Sequence, residues 1–287
     1  MELTSLCDDA IAVIASFLVR PAHYAALLIA SSHTARVLTQ PTLRKTMCAR
    51  YFTPWWLVMA DFRELASVDE QTPELCLAAV TGSGRALQYV KAQTPEICLA
   101  AVTQDGFALE FVSAQTPELC LAAVMQRGRA LGYVNAQTPE ICLAAVTQDW
   151  YALERVKEQT HEICLAAVTQ HGAALACVKN PQPAICLAAV RQNGRALKFV
   201  YDQTPEICIA AVKQDAWALQ YVKEQTPEIC LAAVAQSGAA LKYVNEQTPD
   251  ICLAAVSQDV LALAHIRDPA LTNSIAAILY PFEDSNS

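Results

Sequence analysis

QTPEICLAAVTQDGFALEFVSA, residues Gln93 to Ala114, is the stretch that decides the fold, because the chain repeats it. Nine copies of this 22-residue text run from Gln71 to Asp268 without insertion or deletion. A fixed period of this kind marks an array that grows in one dimension by stacking a supersecondary unit. With the opening glutamine as position 1, threonine at position 2 (Thr72, Thr94, Thr116) precedes proline. The threonine accepts a bond from a backbone N–H that the first helical turn leaves orphaned, and proline at the first helical position lacks only a donor that has no partner there. The glutamate that follows faces the positive end of the helix dipole. In ICLAAV the isoleucine, cysteine, second alanine and valine share one stripe at about 100° per residue, with leucine on the flank that meets the adjacent repeat.

Position 13 reads Ser83, Asp105, Arg127, Asp149, His171, Asn193, Asp215, Ser237 and Asp259. Most of these are helix-capping types, so a second helix starts there, carrying Ala108, Leu109 and Val112 in the copy quoted. The spacing predicts a first helix of about ten residues and a second of about eight, joined by almost no loop. A single unit of this size cannot bury its own flanks against anything, so only stacking stabilises it. The expected architecture is all-α: an α-solenoid of two-helix, 22-residue repeats over 71–268.

The ends of the array read as caps. In 53–70, Thr53-Pro54 matches the repeat opening, and Asp61, Leu65 and Val68 fall on the template of Asp105, Leu109 and Val112. This stretch is expected to be a degenerate repeat whose first helix is shortened, with Trp55 and Trp56 on its outer face. At the other end, 269–280 is expected to be a capping helix in which Ile275-Ala276-Ala277-Ile278 matches LAAV and Ser274 replaces the core cysteine. The tail 281–287 is polar, as disordered segments are.

More than half the chain is hydrophobic, at 54%, yet no apolar run approaches the roughly 20 residues of a membrane span. The opening MELTSLCDDAIA is acidic where a signal peptide is basic. These features lead us to expect an intracellular, cytoplasmic protein. A net charge of −8 argues against a broad phosphate-binding surface, so no nucleic-acid partner is expected. Nine of the 12 cysteines, Cys76 to Cys252, recur at one repeat position. Stacked helices lie about 8–10 Å apart, too far for neighbouring cysteines to bridge, so they are expected to be reduced core fillers.

Residues 1–52 carry no repeat. Three short helices are expected there, and Leu6-Cys7-Asp8-Asp9-Ala10-Ile11-Ala12-Val13-Ile14-Ala15-Ser16-Phe17-Leu18 resembles the opening helix of an F-box. Pro21, Tyr24, Ala26-Leu27, Ala30-Ser31-Ser32 and Ala35-Arg36-Val37-Leu38 continue that pattern, while Cys7 stands where the family usually has proline. The resemblance implies a three-helix head over 3–50 that binds the Skp-type linker of a cullin–RING ubiquitin ligase. By similarity, Leu6, Ile11, Ile14, Phe17 and Leu18 would supply its apolar contacts. The QTPEICLAAV repeat resembles an uncharacterised family of short helical repeats, frequent in giant DNA viruses of protists and sometimes found beside F-box-like heads. That resemblance implies a helical repeat fold, no activity, and a host-cytoplasmic site if the source is viral.

Within the array, fixed positions read as core and variable ones as solvent or ligand. Variation concentrates at positions 15 and 19, four apart on the second helix and hence neighbours if that helix is α. The pairs are Arg85/Tyr89, Phe107/Phe111, Arg129/Tyr133, Tyr151/Arg155, Ala173/Cys177, Arg195/Phe199, Trp217/Tyr221, Ala239/Tyr243 and Leu261/His265. Arginine and aromatics are enriched at interface hot spots, so a partner-binding ridge is one reading; inter-repeat stacking is the other. His161, His171, Cys164 and Cys177 do not make a zinc site, because the two histidines sit at opposite ends of one helix, about 15 Å apart at 1.5 Å per residue. No phosphate loop, HExxH or nucleophile elbow occurs, so no enzymatic activity, cofactor or metal is expected. What is expected is a non-enzymatic interaction module that holds a protein target on the solenoid. Its role would be that of a substrate adaptor for a ubiquitin ligase, or alternatively a structural scaffold.

Overall fold

The computed structural model describes residues 61–279. The chain divides into two compact units, residues 1–126 and 127–287, each described here by itself. In the first unit the described elements are η1 (Phe62–Ser67), α1 (Pro73–Gly82), η2 (Gly84–Tyr89), α2 (Pro95–Gln104), η3 (Gly106–Phe111) and α3 (Pro117–Gln126), where η marks a 3₁₀ helix. The second unit begins η4 (Gly128–Tyr133), α4 (Pro139–Gln148), η5 (Trp150–Arg155), α5 (His161–Gln170), η6 (Gly172–Cys177), α6 (Pro183–Gln192) and η7 (Gly194–Phe199). It continues α7 (Pro205–Gln214), η8 (Ala216–Tyr221), α8 (Pro227–Gln236), η9 (Gly238–Tyr243), α9 (Pro249–Gln258), η10 (Val260–His265) and α10 (Pro269–Leu279). The described residues contain no strand. Within each unit α packs on the next α and η on the next η, the two-layered stacking of a helical solenoid.

The first helices form as their sequence dictates. Thr94 Oγ1 accepts from the Ile97 N–H at 3.3 Å, and the corresponding threonine starts α1, α3, α4, α5, α7, α8 and α9. Ile97, Cys98, Ala101 and Val102 are buried, as are their equivalents in every other repeat. The leucine flank is covered only in part: Leu99 is 47% exposed.

The second helices differ from expectation. Each is a six-residue 3₁₀ helix rather than an α-helix of about eight. Ala108 N–H bonds Asp105 C=O at 2.8 Å and Val112 N–H bonds Leu109 C=O at 3.2 Å, so i→i+3 pairing opens and closes η3. The buried residues Gly106, Leu109 and Val112 are spaced by three, the 3₁₀ period, and Ala108 is buried beside them. Asp105, Asp149, Asn193, Asp215 and Asp259 cap by accepting the N–H two residues on. Ser83 and Ser237, which read as caps in the sequence, make no side-chain cap bond.

The C-terminal register also needs correction. Asp268 Oδ1 accepts from Ala270 N–H at 2.9 Å, so Asp268-Pro269 takes the place of Thr-Pro and two residues of the usual opening are absent. Ile275 therefore occupies the slot of Ala101 and is buried, while Ile278 is 65% exposed. The match of Ile275-Ala276-Ala277-Ile278 to LAAV is two residues out of step.

In most repeats two glutamines tie neighbouring repeats together. The opening one acts at the amino-terminal edge of the first helices. Gln159 Nε2 donates to Leu153 C=O of the previous 3₁₀ helix at 3.0 Å and to Cys177 C=O at 2.9 Å. Its Oε1 accepts from Lys179 N–H at 2.9 Å. Gln71, Gln137, Gln225 and Gln247 repeat all three bonds. The second glutamine acts at the opposite edge, where Gln104 Oε1 accepts from Gly84 N–H at 2.6 Å and Gln192 from Gly172 N–H at 2.6 Å. Glycine is needed there: a Cβ on Gly84 would lie 2.5 Å from Ala101 O of the next helix. Trp150 and Ala216 occupy that position in their repeats, and η5 and η8 pack less closely on the following first helices.

Candidate interaction surface

The 3₁₀ layer carries the variable side chains. At three residues per turn, positions 15 and 18 eclipse, whereas positions 15 and 19 do not share a face. The four-apart pairing expected for an α-helix is therefore corrected: Arg85 stacks above Gln88, not Tyr89, and Gln88 Nε2 bonds Arg85 C=O at 3.0 Å. Arg85, Arg129, Arg195, Tyr133, Tyr151 and Arg155 are exposed, while Tyr89, Phe107, Phe111, Phe199, Trp217 and Tyr221 are half-buried between layers.

Three arginines reach forward to the next repeat. Arg129 Nε lies 2.9 Å from Asp149 Oδ2, Arg195 Nε 2.7 Å from Asp215 Oδ2, and Arg85 Nε 3.7 Å from Asp105 Oδ2. Each of these aspartates uses its other oxygen to cap its own 3₁₀ helix, so one carboxylate both starts a helix and fixes an arginine. The bond to Asp215 holds the Arg195 guanidinium further above its ordinary value. Each arginine is more than half exposed, and its outward edge stays open.

Aromatics extend the row in the second unit. Arg129 lies 4.6 Å over the Tyr151 ring, Tyr151 stacks on Trp150 at 3.6 Å, and Trp150 stacks on His171 at 4.8 Å. Further along, Trp217 meets Tyr243 edge-on at 5.4 Å, and Lys242 Nζ sits 4.0 Å over Trp217. Trp150, His171, Lys242, Lys198 and the 82%-exposed Tyr201 were missed by the sequence reading. Lys198 and Lys242 stand at position 18, which enters the ridge only once the helix is known to be 3₁₀. Leu6, Ile11, Ile14, Phe17 and Leu18 of the head lie outside the described residues.

The recurrent cysteines are buried on the inner face of the first helices, and burial raises their thiols above the ordinary value, so they stay protonated at neutral pH. Cys142 Sγ lies 3.8 Å from Gln137 Oε1, a fourth contact for that opening glutamine. Cys177, in the 3₁₀ layer, is pushed up to about 11 by burial, by the Glu154 charge and by its own bond to Glu154. Among the described residues no cluster of three histidine, cysteine or carboxylate side chains could hold a metal ion, and no helix is long and apolar enough to cross a membrane.

A family model described as a domain of unknown function (DUF4116) matches residues 184–226, which take in α6 after its first residue, η7, α7 and η8. No curated protein and no solved structure matches the chain. Over residues 184–226 the chain is thus similar to a family without an assigned activity, and its described repeats give that similarity a helical form.

Proposed function

We propose that this chain is a non-enzymatic protein-interaction array acting in the cytoplasm, whose 3₁₀ layer grips a protein target. In this reading the F-box-like residues 3–50 dock that target to the Skp-type linker of a cullin–RING ubiquitin ligase. The observation that carries it is the division of labour within the repeat. The first helices are filled by caps and core, while arginine, tryptophan and tyrosine vary along an exposed row. Such residues give large contact area with few rotamers to freeze, and guanidinium groups fixed by aspartate are preorganised for a partner. The head reading rests on its resemblance alone.

A second reading, a scaffold in which the head only caps the array, is favoured by one observation. Arg85, Arg129 and Arg195 already spend one edge on the next repeat, so part of the ridge serves the array itself. Affinity capture of the full chain separates the two. Wild type should retain the Skp-type linker and Phe17→Asp should lose it; a wild type that captures no linker sinks the adaptor role and leaves the scaffold.

A further inference from the structure

We infer that the array is built to open at one step, between the repeat beginning at Gln159 and the one beginning at Pro181, and that the opening is hinged. Three of the four opening positions change together there. Proline replaces the glutamine, Gln182 replaces the threonine, Pro183 is kept, and Ala184 replaces the glutamate. Pro181 has no amide to donate to Leu175 C=O and Phe199 C=O or to accept from Tyr201 N–H, the three bonds Gln159 and Gln225 make at their own steps. Gln182 makes no side-chain cap; the Ile185 N–H that a threonine would cap turns back to Gln182 C=O at 2.9 Å. Ala184 puts no carboxylate at the positive end of α6.

One core position loosens at the same place, although the helices on either side stay as closely packed as elsewhere. The valine that closes each 3₁₀ helix is buried in Val90, Val112, Val134, Val156, Val200, Val222 and Val244, but Val178 is partly exposed. A cleft of about 200 Å³ lined by Val178, Cys164 and Ile185 among others lies beside it, and it is common to the array: Cys142 and Ile163 line one of about 200 Å³ and Cys208 and Ile229 one of about 370 Å³ at stapled steps. The opposite edge is intact. Gln192 Oε1 accepts from Gly172 N–H at 2.6 Å and its Nε2 donates to Gln170 C=O at 3.1 Å. With one edge stapled and the other not, the two repeats swing about the Gln192 side and part at the Pro181 side. The swing changes the curvature of the row that carries the ridge and bares Cys164 and Cys186.

The recurrent cysteines are built-in reporters of this motion, since each occupies the same slot and reacts only when its step opens. Pulsed alkylation of the native full chain with iodoacetamide, read by peptide mass spectrometry, should label Cys164 and Cys186 at least tenfold faster than Cys98, Cys208 and Cys230. The triple change Pro181→Gln, Gln182→Thr, Ala184→Glu restores the common opening and should bring the two rates down to the others. Amide exchange across 161–190 in unsubstituted protein should show the same early opening, which guards against a variant that fails to fold. Equal labelling of all five cysteines, or exchange no faster at 161–190 than at 205–234, overturns the hinge.

Discussion

The α layer and the 3₁₀ layer are cut from the same repeat, yet they have diverged in opposite directions. The ten-residue first helices keep Thr-Pro at the cap and Ile, Cys, Ala and Val in the core almost without exception. The six-residue second helices keep Ala and Leu inside and change nearly everything that faces out. A 3₁₀ helix has poorer hydrogen bonds and few of them, so this layer cannot stand on propensity. It is held from outside, by the opening glutamine at its carboxyl end and, in most repeats, by the glutamine of the next repeat at its amino end. A layer held by its neighbours is free to vary on its exposed face. Stability and sequence variation are thereby assigned to different parts of one short sentence.

Substitutions in the two layers break or sharpen this comparison. The largest effect is expected from Leu219→Ala, which empties a fully buried slot where η8 meets the α layer. Equilibrium urea denaturation should show a loss of about 2–5 kcal/mol. Gln225→Ala comes next, although the side it removes is polar and only part-buried. It leaves the Tyr243 C=O and the Asn245 N–H without their partner, and about 2–3 kcal/mol should be lost by the same measurement. A glutamine no more costly to truncate than a surface residue would mean that the 3₁₀ layer holds itself.

Alkaline pH gives a graded effect. The folded thiols are raised by burial, so the unfolded chain releases these protons first as pH climbs. Their contribution is intact below about pH 8.5, the ordinary thiol value, and is lost as pH rises through the folded values, up to about 11 for Cys177. Urea midpoints should fall steadily from pH 8 upward, and Cys208→Ala with Cys230→Ala should flatten the fall. The smallest effect is expected from Arg129→Ala. Its ion pair is exposed and screened, so the urea midpoint should not move measurably, while ridge-dependent binding should drop.

Much of this was legible before any coordinates. Thr-Pro openings, a four-residue apolar stripe and a fixed period of 22 determine the first helices and their stacking. Two things were not. The 3₁₀ character hid behind a segment too short to tell one period from another. The clue, a spacing of three through Gly106, Leu109 and Val112, was outweighed by aspartate caps that suit either helix. The glutamines were overlooked because a polar residue beside Thr-Pro reads as solvent-facing linker. Their recurrence at both positions was the available signal, since a linker would have drifted as positions 15 and 18 have. The ridge was half legible: its arginines and aromatics stood out by type, but the neighbours Lys198 and Lys242 depend on helix geometry, and Trp150 and His171 on a glycine being replaced.

The central claim is that recognition resides in the 3₁₀ layer and not on the outer face of the first helices. Comparative affinity capture from expressing cells tests it most directly, using wild type and two matched variants. One carries Arg129→Ala, Tyr151→Ala, Trp217→Ala and Lys242→Ala; the other carries Glu140→Ala, Glu162→Ala, Glu206→Ala and Glu228→Ala. Both should remain folded by circular dichroism. The expected result is that the first variant loses the proteins enriched by wild type while the second retains them. Loss in the second with retention in the first, equal profiles for both, or a wild type that enriches nothing would contradict the claim.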